Sequence, residues 1–208
     1  PMRPLCCLHD QAATFVADTS AIINLNATGC APRILRAIPN KVVVVDMVLP
    51  ELQAGRGKGH ADADDAQELI EGGFLRVVSL GEIGWSYFGE LVAGTASETL
   101  GDGEAGTLAC AAEIGASAII DERKAIRIAE RRFPDVVTAS TIDILCHPAV
   151  STVLDRDALT LAVFQALRDA RMRVLDHQLG WVVGLIGTYR AATCISLPHS
   201  ARSVHESA

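Results

Sequence analysis

The sequence predicts an α/β protein built on a central, mainly parallel sheet, and three observations lead there. Short apolar runs suited to buried strands alternate with segments suited to helices, and that alternation implies right-handed crossovers between parallel strands. Four consecutive valines, Val42 to Val45, fit a strand covered on both faces, as parallel sheets require. Half of the 208 residues are hydrophobic and only 4% aromatic, so the core must be assembled from Ala, Val, Leu and Ile.

The elements follow in chain order. Residues 1–13 carry no clear period and are expected to be a frayed lead-in. Thr14-Phe15-Val16-Ala17 is β-compatible and ends in Asp18-Thr19-Ser20, a carboxylate and two hydroxyls able to cap a helix over residues 21–27. A strand over residues 41–45 ends at Asp46. Pro50 is favoured in a first helical turn, so Glu51 is expected near a helix start just past that strand. A mobile loop is expected over residues 55–59 and a helix over 61–71, stopped by Gly72-Gly73. Residues 74–80 read as a strand, at the sheet edge because of Arg76, and residues 82–99 as a helix.

Gly101-Asp102-Gly103-Glu104 opens a strong helix over residues 105–114, closed by Gly115. Ser117 to Ile120 is a short buried strand that ends at Asp121-Glu122. A helix over 123–132 precedes Pro134, and a last strand covers 136–139. Residues 157–187 read as two further helices split near 171–174. The organisation expected is a domain over residues 14–147, a helical extension of it over 148–187, and loosely ordered termini at 1–13 and 188–208.

Composition narrows the function classes. A formal net charge of −7 argues against gripping nucleic acid by overall basicity, because phosphate neutralisation needs Lys and Arg. A nuclease remains compatible, since a carboxylate site is itself negative and a bound cation reverses its sign. The six cysteines show neither CxxC nor paired spacing, which points to a reducing cytosol; Cys110 reads as a small buried residue, and the adjacent Cys6 and Cys7 are unassigned. No apolar run approaches the roughly 20 residues of a membrane span, and the N-terminus lacks a signal peptide's pattern, Pro1-Met2 resembling a cleavage scar. A cytoplasmic location is the expectation.

Parallel sheets present ligands just outside the carboxyl ends of their strands, and acids recur at that edge. Asp18 ends the first strand, Glu51 follows the second by a short turn, and Asp121 and Glu122 end the strand after the long helix. Glu104 sits in that helix's first turn. Carboxylates brought within a few ångströms raise one another's pKa unless a hard cation with oxygen ligands lies between them. Mg²⁺ or Mn²⁺ fits that need and can also activate water and stabilise a phosphodiester transition state. Singly, each acid is more often a helix cap or dipole partner; the set carries the metal reading.

Val16-Ala17-Asp18-Thr19-Ser20-Ala21-Ile22-Ile23-Asn24-Leu25, Pro50-Glu51, and the stretch from Gly103-Glu104-Ala105 to Ile120-Asp121-Glu122-Arg123 resemble the PIN-domain family in order and spacing, over about residues 14–145. The helical pair ending near residues 181–187 resembles a C-terminal extension in one bacterial and archaeal branch of that family. The resemblance implies a three-layer α/β/α sheet and a metal-dependent ribonuclease, often the toxin of a toxin–antitoxin pair, with RNA as substrate, an antitoxin as partner and homodimers as the common assembly. By position, Asp18 matches the first family acid, Glu51 the second and Glu104 the third. In the fourth column Glu122 falls on the usual Asp with Asp121 one place before it, so either is a candidate.

Supporting roles are open at the sequence level. Thr19 and Ser20 are suited both to hydrogen-bonding Asp18 or a water on the cation and to capping the next helix. Asp102 stands where an N-cap is wanted, with metal ligation as the alternative. Arg56 and Lys58 in the glycine-rich loop, and Arg123, Lys124 and Arg127 after the last acid, are candidate RNA contacts, against a solvated helix face for the latter three. Two rivals remain: a non-catalytic PIN-like module that binds RNA or protein, and a phosphatase with Asp18 as nucleophile, against which position 20 is Ser and not Asp.

Overall fold

The computed structural model describes residues 14–56 and 61–203, with nothing described of the side chains of residues 55 and 56. The expectations for residues 1–13, Cys6, Cys7, Lys58, most of the glycine-rich loop and the last five residues lie outside the described residues. In chain order the elements are β1 (Phe15–Ala17), α1 (Thr19–Ala27), α2 (Ala31–Ala37), β2 (Val42–Val45), α3 (Val48–Arg56), α4 (Asp62–Glu71), β3 (Arg76–Val78), α5 (Glu82–Val92) and α6 (Asp102–Ile114). There follow β4 (Ser117–Ile119), α7 (Arg123–Arg132), β5 (Thr138–Ala139), α8 (Thr141–Leu145), α9 (Pro148–Val153), α10 (Arg156–Asp169), a 3-10 turn (Asp176–Gln178), α11 (Leu179–Ile186), α12 (Thr188–Thr193) and α13 (His199–Arg202).

These elements form two compact units, a sheet unit of residues 14–23 and 39–140 and a helical unit of residues 24–38 and 141–203. The division differs from the expected domain over 14–147 with an appended extension: the segment around α2 clusters with the C-terminal helices. In the sheet unit five strands run in the order β3-β2-β1-β4-β5, every pair parallel. The four valines of β2 are all buried, which is why that run lacks polar alternation, and β3 lies at the edge with Arg76 exposed.

The long helix α6 carries small side chains because it is buried almost all round. Ala105, Gly106, Thr107, Ala109, Cys110 and Ala111 are all covered, and α6 packs on β1, β2 and β4. Burial pushes the Cys110 thiol up to about 11, with Glu113 adding to the effect, so this cysteine is the inert core residue expected of it. Gly115, at φ 65°, ends α6 in the left-handed region where a Cβ is penalised. At the far end of α6, Glu113 accepts the Gly81 N–H at 2.9 Å and so satisfies a donor at the start of α5.

The structure corrects several boundaries. The helix expected over 82–99 stops at Val92, with Gly94 following at φ 129°. Cations of α7 hold the segment beyond it: Lys124 Nζ donates to the Ala96 carbonyl at 2.7 Å, and Arg131 lies 3.7 Å from Glu98. Helix α3 continues through Arg56, so the glycine-rich loop begins later than expected. The short helices α2, α8 and α9 were not anticipated, because five to seven residues are too few to show a 3.6-residue period. Residues 188–202, expected to be loosely ordered, contain α12 and α13, and the buried Ala191, Cys194 and Leu197 anchor them.

In the helical unit, the predicted pair of helices is present as α10 and α11, separated near Arg171, which sits at φ 55°. Asp155 caps α10, its Oδ1 accepting the Ala158 N–H at 2.8 Å. Buried Asn24 reaches Thr141 Oγ1 at 3.5 Å, and Gln178 donates to Asp143 Oδ2 at 3.2 Å.

Ile119, fully buried in β4, should cost about 2–5 kcal/mol when replaced by Ala, whereas Ile114→Ala at the exposed end of α6 should stay within about 0.5 kcal/mol. Urea unfolding midpoints of the two variants check this contrast.

Candidate active site

Adjacent strands place two acids side by side. Register between β1 and β4 pairs Val16 with Ala118 and Ala17 with Ile119, and the Asp18 N–H extends the ladder to the Ile119 carbonyl at 3.1 Å. Asp18 and Asp121 thus leave the carboxyl ends of neighbouring central strands, and both are buried, at 2% and 3% exposure. Asp18 also starts α1: its Oδ1 accepts the Ala21 N–H at 2.7 Å, and Ser20 Oγ donates to both carboxylate oxygens at 2.9 Å. Of the carboxylate and two hydroxyls able to cap this helix, the carboxylate is the one whose oxygen takes the third helical N–H.

Those hydrogen bonds favour the ionised carboxylate, yet burial pushes the Asp18 pKa well above its ordinary value, and the charges of Asp121 and, more weakly, Glu104 push the same way. Desolvation and like charge together win over these two donors. A carboxylate in that position is relieved either by a proton or by a cation.

Glu51 and Glu104 approach from two helix starts. Glu51, in the first turn of α3, accepts the Gly103 N–H on Oε1 at 2.9 Å and a short hydrogen bond from the Thr19 hydroxyl on Oε2. The two hydroxyls are divided, Ser20 to Asp18 and Thr19 to Glu51. Glu104, the third residue of α6, reaches back to the Gly101 N–H at 3.4 Å. Burial raises its pKa; the Gly101 N–H opposes this, Glu122 adds to it, Lys124 opposes it and Glu51 adds to it. Asp102, expected as cap or ligand, is an exposed first residue of α6, and the N-cap is Gly101.

Asp18, Thr19, Ser20, Ile23, Glu51, Gly101 and Glu104 line one cavity of about 340 Å³. Three of the five predicted acids therefore face a common space. The other two divide: Asp121 acts on Asp18, while Glu122, half-buried at the N-cap position of α7, acts on Glu104. Sequence reasoning missed Ile23 and the glycines. Ile23 lies one helical turn beyond Ser20 and so shares its face; Gly101 and Gly103 carry no side-chain chemistry to flag them.

The residues suit a hard divalent cation in kind, being carboxylates with hydroxyl support, and the mutual charge on Asp18 is the observation that favours one. They do not form a ready-made cage: among the described residues no three acids, histidines or cysteines converge as metal ligands. Of the candidate RNA contacts, Arg123 and Arg127 are exposed on α7. Lys124 donates to the Ala96 carbonyl, and the Arg56 side chain and Lys58 lie outside the described residues. Among the described residues no helix is long and apolar enough to cross a membrane.

A parallel sheet whose two central strands end on buried acids, with further acids at helix starts around one cavity, defines an α/β protein that presents its chemistry at the strands' carboxyl edge. The chain belongs to the PIN-domain family: a family model described as a PIN domain matches residues 14–187. Among solved structures, the crystal structure of VapBC2 from Rickettsia felis bound to a DNA fragment from their promoter is similar over 61% of this chain and 98% of its own, at 19% identity and a TM-score of 0.42. Among curated proteins there is no significant match.

The folded protein holds the Asp18 proton more tightly than the unfolded chain, so without metal this group's contribution to stability falls as pH rises through the ordinary carboxylate range towards the raised value. Asp18→Asn keeps a good cap and removes the charge. In chelator at neutral pH that variant should melt at a higher temperature than the native protein, and the gap should narrow on acidification; thermal unfolding across pH measures both.

Proposed function

We propose that this PIN-domain protein is a divalent-metal-dependent endoribonuclease that hydrolyses RNA phosphodiester bonds, with Asp18, Glu51, Glu104 and Asp121 as the acids that hold the cation. The observation that carries this reading is the placement of Asp18: buried, opposed by Asp121 and Glu104, and opening on the cavity that Glu51 and Glu104 share. Of the two fourth-acid candidates, the charge of Asp121 on Asp18 favours Asp121, and Glu122 is left to tune Glu104.

Each residue has a stated task in this reading. Bound Mg²⁺ or Mn²⁺ supplies positive charge for the reacting phosphate and lowers the pKa of a water molecule. Asp18 and Asp121 anchor that charge in a dry corner of the sheet edge, where low dielectric strengthens it. Ser20 and the Ala21 N–H fix the orientation of Asp18, and Glu51 and Glu104 close the open side. Arg123 and Arg127, exposed on α7, are the cations assigned to the phosphate backbone in this reading. Cleavage by water leaves a 5′-phosphate and a 3′-hydroxyl.

As a toxin, the protein would pair with an antitoxin that covers the acidic cavity, and self-association into a homodimer accompanies that reading. A cytoplasmic setting accompanies that reading. A second reading, a non-catalytic PIN-like module that binds RNA or protein, is favoured by one feature: Asp18, Glu51 and Glu104 each satisfy a backbone N–H at a helix start. The phosphatase reading loses ground, because the Asp18 carboxylate is buried and engaged by Ser20 and Ala21 rather than exposed for attack.

Incubated with single-stranded RNA and Mn²⁺, the native protein should cut and Asp18→Asn should be slower by about a hundredfold or more. Asp102→Asn should be close to native. Gel analysis of RNA ends with Mn²⁺ and with chelator decides the matter, and calorimetry showing no Mn²⁺ binding by the native protein would favour the non-catalytic module.

A further inference from the structure

Glycine is a poor choice inside a helix, yet Gly103 is the second residue of α6 and is buried. Its surroundings supply a reason. A Cβ built on Gly103 would lie 2.7 Å from Thr19 Oγ and 2.9 Å from the Glu51 Cδ, closer than folded proteins allow. Both atoms belong to a single arrangement: Gly103 N–H donates to Glu51 Oε1 at 2.9 Å, and the Thr19 hydroxyl donates to Oε2. The two donors come from the starts of α6 and α1, and the acceptor comes from α3.

Glu51 is otherwise an exposed residue on a long, flexible stem. A donor on each oxygen restrains such a side chain far more than one would, because rotation about its last torsion breaks both bonds. The first-turn N–H of α6 needs a partner from elsewhere, since Gly101, the N-cap, has no side chain. Glu51 fills that role across 52 residues of sequence.

We propose that Gly103 and Thr19 are positioning residues that clamp the Glu51 carboxylate at the edge of the cavity shared with Asp18 and Glu104, and that the missing side chain at 103 is what lets the clamp close. This rests on the cavity being a cation site. The atoms nearest an Ala side chain at 103 are the far end of Glu51 and the Thr19 hydroxyl, so relief comes from the carboxylate swinging away and not from the backbone. Helix stability and cation affinity therefore move in opposite directions in Gly103→Ala, which a purely structural glycine would not produce.

Mn²⁺ calorimetry and metal-free melting on the full chain test the clamp. Gly103→Ala and Thr19→Val should each weaken Mn²⁺ binding by about tenfold or more, with a metal-free melting temperature no lower than native for Gly103→Ala. Thr19→Ser, which keeps the hydroxyl, should restore affinity to near the native value. In a Glu51→Gln background neither Gly103→Ala nor Thr19→Val should weaken binding further, because all three act through one carboxylate. Additive losses, or native affinity in Gly103→Ala, overturn the proposal. Hydrogen exchange of the Gly103 amide in metal-free protein judges the contact separately: it should be slow in the native chain and fast in Glu51→Ala, and equal rates in the two overturn the clamp. A native protein that binds no Mn²⁺ at all removes the nuclease reading, while the amide exchange still decides whether the clamp exists.

Discussion

The arrangement depends on two carboxyl groups held out of water beyond the ends of adjacent strands. Parallel pairing of β1 with β4 leaves Asp18 and Asp121 no choice but to emerge together, and both are almost completely buried. Two donors, the Ser20 hydroxyl and the Ala21 N–H, engage Asp18 and still do not offset desolvation and the neighbouring charge. Folding thus stores an unfavourable electrostatic contact that a proton or a cation can relieve, a common trait of functional sites.

Around this pair the site is assembled from helix starts. Asp18 caps α1, Glu51 meets the first turn of α6, and Glu104 folds back on Gly101 within the same turn. The backbone N–H groups that a helix leaves unsatisfied at its start are ready partners for carboxylates. Acids that meet helix starts are therefore delivered to one place, and the cation role proposed for Asp18, Glu51 and Glu104 rests on that same geometry. The same principle recurs away from the cavity, where Glu113 satisfies the start of α5.

Charge is also distributed by this logic. The chain is acidic overall, and several of the cations of α7 are committed to the fold: Lys124 and Arg131 hold the segment after α5, and Arg132 donates to the Glu90 carbonyl at 2.7 Å. Arg123 and Arg127 lie on the same helix with their side chains exposed. Proximity in sequence to the acids said nothing about which cation was engaged, because that depends on where the chain between residues 93 and 101 passes.

Alternation of apolar runs with capped segments was enough to specify the parallel sheet and its edge strand, and to put forward Asp18, Glu51, Glu104 and the pair Asp121-Glu122 as acids of its carboxyl edge, since each expectation follows from local periodicity and from where strands stop and helices start. Short helices such as α8 and α9 and the helices beyond residue 188 left no such trace, being stabilised by burial of residues like Val150, Ala191 and Cys194 and not by a repeating pattern. Tertiary structure alone decided that Thr19 serves Glu51 rather than Asp18, that Asp121 rather than Glu122 acts on Asp18, and that Gly103 lies against Glu51. These are contacts between segments tens of residues apart, and their geometry is fixed only when strand register and helix packing bring the backbones together.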